Sequence, residues 1–182
     1  MRLLLQKTLT TISAAMLAGA AAVWADDPAT GEKPSSQSGK ETPLFTTTVR
    51  TTAYTHTEED HISYGKKTAL GTDLRYTPEY HSAAADWSRF PLGTKFKIKG
   101  YNRIFVVDDY GKALTGSRTI DIYFDTKQRM NNWGVRWVEI EVLELGSFQE
   151  SRKILASRAK HPHCLAMLAS MTVDDWWKVY DR

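Results

Sequence analysis

The sequence predicts a mainly β protein: a small closed barrel, interrupted by one short helix and followed by a helical tail. Five short stretches between residues 46 and 145 are rich in β-branched or aromatic residues, or alternate apolar with polar. Turn residues separate them, and several short strands of this kind close readily into a barrel. Beyond Gly146 the apolar spacing changes to a helical period.

In chain order, residues 1–7 carry Arg2 and Lys7 with no acid, and an apolar run over 9–23 ends in Val23-Trp24-Ala25. A basic start, a run too short for a permanent anchor and small residues at the cleavage positions predict a secretory signal peptide over residues 1–25. The predicted location is periplasmic or otherwise extracytoplasmic, with no stable membrane anchor after cleavage. Residues 26–43 (DDPATGEKPSSQSGKETP) hold almost nothing apolar to offset the entropy of ordering them, which predicts a disordered linker.

The barrel is predicted from residues 44 to 146. Residues 46–54 (TTTVRTTAY) are β-branched, and residues 94–99 (TKFKIK) alternate lysines against Phe96 and Ile98, as a strand with one wet face does. Residues 103–108 (RIFVVD) are nearly continuously apolar, the mark of a strand buried on both faces. Residues 119–124 (TIDIYF) put Ile120, Ile122 and Phe124 on one side, and residues 138–145 turn Val138, Ile140 and Val142 inward. Thr126 is placed to cap a short helix over 127–133, with Gly134 at its left-handed exit. Residues 147–182 are predicted as a helical extension packed on the barrel: 147–160 contain no breaker, His161-Pro162 follows, and a last segment from Thr172 carries Trp176 and Trp177.

Charge and cysteine content exclude some functions. Without Arg2 and Lys7 the chain has 22 basic residues (24 less 2) against 21 acidic, and no basic stripe. A nucleic-acid partner is therefore not expected. Cys164 is the only cysteine, so no intrachain disulfide is available and packing must hold the fold.

The chemistry-bearing stretch is residues 106–124, VVDDYGKALTGSRTIDIYF. A buried strand runs into Asp108-Asp109, a loop with Gly111 and Gly116 follows, and the next strand has Asp121 in its middle. Aspartate is a poor strand residue and costly among Ile120, Ile122 and Tyr123 unless it is paired or used. Either Asp121 pairs at the surface with Arg118 or Lys112, or it faces Asp109 and is kept protonated by burial and a neighbouring carboxylate, as a general acid requires.

Further motifs surround this stretch. Asp86 precedes Phe90-Pro91-Leu92-Gly93-Thr94-Lys95; Asp109-Tyr110-Gly111-Lys112-Ala113-Leu114-Thr115-Gly116 forms an Asp-x-Gly-x-Ala-x-x-Gly loop; Ile120-Asp121-Ile122-Tyr123 follows; then Asn132-Trp133-Gly134-Val135-Arg136-Trp137. In this order they resemble the 3D domain family, named for three aspartates and found in lytic transglycosylases. The resemblance implies a six-stranded double-psi β-barrel and, as partner, peptidoglycan glycan strands. It implies a general acid/base at Asp121 that cleaves the bond between N-acetylmuramic acid and N-acetylglucosamine to a 1,6-anhydro product. Asp109 would lie beside it and Asp86 would support the loop, with no metal or cofactor needed. Tyr54, Tyr110, Lys112 and Trp133 are the candidate substrate contacts. Two departures stand out: the loop from Asp109 to Asp121 is one residue longer than the family's, and Lys112 replaces a common glycine. A non-catalytic glycan-binding or expansin-like wall module is the alternative.

Other candidates carry weaker patterns. His56, Glu58, Glu59, Asp60 and His61 crowd one polar loop, but no ligand spacing on a helix or strand supports a metal there. His161, His163 and Cys164 surround a proline at a helix boundary, where such clusters are usually incidental. Tyr64, Tyr76 and Trp87 join Tyr54, Tyr110 and Trp133 as aromatics able to stack on sugar rings or to fill the core. Trp176 and Trp177 cannot share one helix face, so one is expected to dock the tail and the other to meet a protein partner.

Overall fold

The computed structural model describes residues 42–59 and 61–171. The expected signal peptide, nearly all of the linker, and the segment with Trp176 and Trp177 lie outside the described residues. Six strands close into a barrel: β1 (Phe45–Tyr54), β2 (Tyr80–Ala84), β3 (Lys95–Ile98), β4 (Ile104–Asp109), β5 (Ile120–Tyr123) and β6 (Arg136–Glu144). Around the barrel they run β1-β5-β2-β4-β3-β6. β1 with β5 and β2 with β4 are parallel; the other pairings are antiparallel. Five strands stand where alternation and β-branching predict them, and the barrel agrees with the expected small double-psi type.

β2 is the strand that residue pattern did not announce. Its sequence, YHSAA, has no β-branched residue, and it is selected by its position between β4 and β5, where its last four residues are buried. Small side chains let the neighbouring strands and the loop above approach closely.

The core fills the barrel with Val49, Phe96, Phe105, Val107, Ile120, Ile122, Ile140 and Val142. α1 (Lys127–Trp133) is capped by Thr126, whose hydroxyl accepts from the Arg129 amide, and it ends at Gly134 with φ of 61°. α2 (Phe148–Ser157) starts at Ser147, whose side chain accepts from the Glu150 amide. α3 (Pro162–Ser170) was not expected as a separate helix. Pro162 sits at its first turn, where a missing N–H costs nothing, so the proline that ends one helix also begins the next.

The helices share the barrel's core. Leu155, Cys164, Met167 and Met171 belong to the same buried cluster as Trp87 and Phe90. α2 is tied to the turn before β3: the Leu92 amide donates to Ser151 Oγ at 2.8 Å, and the Ser147 amide donates to the Leu92 carbonyl at 2.8 Å. Gly146 makes this contact possible, because a Cβ there would lie 2.2 Å from the Leu92 oxygen and 2.5 Å from the Pro91 oxygen. Among the described residues no helix is long and apolar enough to cross a membrane.

Candidate functional site

The site is organised by Ala84, the last residue of β2. It pairs with Asp109 of β4 on one side and with Asp121 of β5 on the other. Strands lie about 4.8 Å apart, so the two aspartates stand about 10 Å apart at the backbone with only a methyl group between them. A bulge makes this register: Ala83 pairs with Val107 and Ala84 with Asp109, so Asp108 is skipped. A bulge re-aims the side chains that follow it. Asp108 thereby turns to Arg75 and Ser82, which donate to its Oδ2 at 3.1 and 2.7 Å, while Asp109 faces the cleft.

The cleft has a volume of about 440 Å³ and is lined by Tyr54, His61, Ala84, Asp121 and the run from Asp109 to Leu114. Asp109 is buried in its wall, 6% exposed. Its Oδ1 accepts the amides of Tyr110 at 2.9 Å and Ala69 at 3.0 Å, and its Oδ2 lies 3.4 Å from the Tyr54 hydroxyl. Burial pushes its carboxyl up to about 7, the charge of Asp108 adds to this, and the two amides oppose it. Asp121 is half-buried and accepts the Thr52 hydroxyl at 2.6 Å, a contact set by the parallel register of β1 on β5. The deeper burial thus falls on Asp109, at the end of a strand, rather than on Asp121 as the apolar neighbours of the latter suggested.

Asp86 is 1% exposed and does not line the cleft. Its Oδ1 accepts the Ser88 amide and hydroxyl at 2.8 and 2.6 Å, and its Oδ2 accepts the Gly116 amide at 2.5 Å. It joins the turn before β3 to the loop that carries Gly111 and Lys112.

The expected substrate contacts separate. Tyr54 lines the cleft with its ring against Tyr123 and His61, and burial, followed by the charge of Asp109, holds its phenol well above the usual range. Lys112 is exposed at the rim. Tyr110 lines the cleft, but its hydroxyl is turned to the tail, accepting from Arg158 at 3.1 Å. Trp133 is not brought to the cleft: it is buried on Phe124 and Tyr101 with the Arg136 guanidinium over its ring, because the apolar face of α1 turns to the core. Trp87 is likewise fully buried, and its indole donates to the Asp109 carbonyl at 2.9 Å.

Among the described residues no group of three or more His, Cys, Asp or Glu converges to hold a metal. His56 Nδ1 lies 2.9 Å from the Tyr123 hydroxyl, and Cys164 is fully buried with Sγ 3.5 Å from the Tyr110 hydroxyl. Residue reasoning missed Ala84, Thr52 and Ala69. The run Ala83-Ala84-Ala85 beside Asp86 is a signal of close approach for the first; Ala69 contributes only its amide, which no side-chain pattern reveals.

Residues 81–144 match the family model of the 3D domain. The chain is 38% identical over 96 residues to the cell wall-binding protein YocH of Bacillus subtilis (strain 168), covering 53% of this chain and 32% of that protein. It is 33% identical over 96 residues to the putative cell wall shaping protein YabE of the same organism, covering 53% of this chain and 22% of that protein. The chain therefore spans about a third or less of the relatives it matches.

Proposed function

We propose that this chain, whose residues 81–144 carry a 3D domain, acts outside the cytoplasm on peptidoglycan glycan strands as a lytic transglycosylase-like enzyme. The observation that carries this reading is the pairing of one small residue, Ala84, with both Asp109 and Asp121, so that two carboxyls line one cleft. Asp121, the more open of the two, is the group that meets the oxygen bridging N-acetylmuramic acid to N-acetylglucosamine. It donates a proton as the bond from that oxygen to the anomeric carbon breaks. The C6 hydroxyl of the muramic acid then attacks the anomeric carbon and returns its proton to the carboxylate. The products are a 1,6-anhydro end and a free hydroxyl on the leaving sugar, with no water consumed. Asp109, which keeps its proton up to about pH 7, maintains a protonated carboxyl in the cleft under neutral conditions.

A second reading, a wall-binding module without cleavage, is favoured by the name of one relative, a cell wall-binding protein. Digestion of purified sacculi followed by mass spectrometry separates the two. The enzyme reading expects 1,6-anhydromuropeptides from the wild type, a loss of roughly 100-fold or more in Asp121→Asn, and unchanged co-sedimentation of that variant. Co-sedimentation of a folded wild type that yields no new glycan ends establishes the binding reading and rejects cleavage.

A further inference from the structure

The two amides that hold Asp109 Oδ1 come from separate segments: Tyr110 follows the aspartate directly, while Ala69 lies in the loop before β2. One side chain from outside the barrel joins them. Arg158, at the end of α2, donates from Nη2 to the Ala69 carbonyl at 2.6 Å and from Nη1 to the Tyr110 hydroxyl at 3.1 Å. Its guanidinium carbon lies 5.7 Å from the centroid of the Tyr110 ring. A guanidinium is planar with donors in a fixed fork, so holding two acceptors at once fixes their separation.

We propose that Arg158 is a positioning residue for the cleft, through which the C-terminal helices hold Ala69 and Tyr110 closed around Asp109. Both ends of the clamp support this. On the helix side, α2 is fixed to the barrel by Ser151 and Ser147 on Leu92 and by fully buried Leu155, so Arg158 projects from a rigid base. On the loop side, the turn at residues 68–72 is closed by short-range bonds, from the Thr68 amide to the Thr72 carbonyl and from the Gly71 amide to the Thr68 carbonyl. Its Leu70 is 43% exposed. The peptide groups of Ala69 join this turn to the site: its amide goes to Asp109 and its carbonyl to Arg158. Arg158 lies beyond the matched residues 81–144, so the clamp is a property of this chain's tail and not of the barrel alone.

The inference rests on the reading of Asp109 as part of the working cleft, and its test is independent of cleavage. An amide that donates to a carboxylate favours the charged form. Releasing Ala69 therefore raises the titration midpoint of Asp109 further. The full chain, labelled for carboxyl carbon NMR, is titrated as wild type, Arg158→Met and Arg158→Lys. The expected result is an upward movement of about half a unit or more in Arg158→Met. Arg158→Lys is expected to recover part of it, since an ammonium does not span both acceptors as the fork does. A folded Arg158→Met with the wild-type midpoint overturns the proposal. If Arg158→Met does not fold, amide exchange at Ala69 in Arg158→Lys decides: exchange faster than wild type by roughly tenfold supports the clamp, and an unchanged rate overturns it. A wild type that releases no anhydro ends, together with the expected midpoint shift, keeps the clamp and removes only the enzymatic reading.

Discussion

At the scale of single residues, Asp109 couples stability to pH. Its carboxyl moves from 3.8 to about 7 on folding, mainly through burial. Between those values the folded state binds more protons than the unfolded chain, so its contribution to stability falls as pH rises from about 4 to about 7. A shift of about three units is worth on the order of 4 kcal/mol. His81 acts in the opposite sense: burial and Arg103 lower it from 6.5 to about 4, so its contribution is full above 6.5 and is lost as pH falls toward 4. Comparison with Asp109→Asn isolates the aspartate. Urea unfolding is expected to show the variant more stable than wild type by a few kcal/mol at pH 8, with the difference vanishing near pH 4. A variant less stable than wild type at pH 8 contradicts the burial account. Ala84 tests the cleft itself. Ala84→Val places two methyl groups between the carboxyls at an overpacking cost of about 1–3 kcal/mol. Binding to sacculi is expected to weaken at least about tenfold while the chain remains folded. Asp121 was visible in the sequence as an aspartate out of place in a strand. Ala84 and Ala69 were not, because one acts by being small and the other through its backbone.

At the scale of elements, the sequence announced β1, β3, β5 and β6 by alternation or β-branching, as strands with one face in the core, and β4 by continuous apolarity, as a strand buried along nearly its whole length. β2 was hidden because its neighbours, not its propensity, make it a strand. The bulge opposite Ala83 and Ala84 was equally invisible, since it depends on the pairing of strands distant in sequence, yet it decides which of Asp108 and Asp109 reaches the cleft. Helix α1 was legible to the residue, from a threonine cap and a glycine exit. The junction between β6 and α2 offers a prediction. Gly146→Ala drives a Cβ against the backbone of Pro91, Leu92 and Thr94, which has no flexible side chain to yield. The expected cost is at least about 2 kcal/mol in urea unfolding. A fully wild-type midpoint would mean that α2 is not tied to this turn.

For the molecule as a whole, the barrel was legible because several motifs in fixed order carry it, and those motifs also held the two aspartates that line the cleft, Asp109 and Asp121, while Asp86 lies outside its lining. The link between tail and cleft was not. Arg158 and Ala69 are 89 residues apart, and an arginine at a helix end has no local feature that marks its partner. The central claim is that the cleft works by holding a proton at neutral pH and passing it to a bridging sugar oxygen. The most direct measurement is the rate of 1,6-anhydro end formation from sacculi as a function of pH, for the wild type and Asp121→Asn. With Asp109 losing its proton above about pH 7, the account predicts product below that pH, a decline approaching tenfold per unit above it, and a loss of roughly 100-fold or more in the variant at every pH. A rate that stays level from pH 6 to pH 9, or anhydro ends released equally by Asp121→Asn, would contradict it.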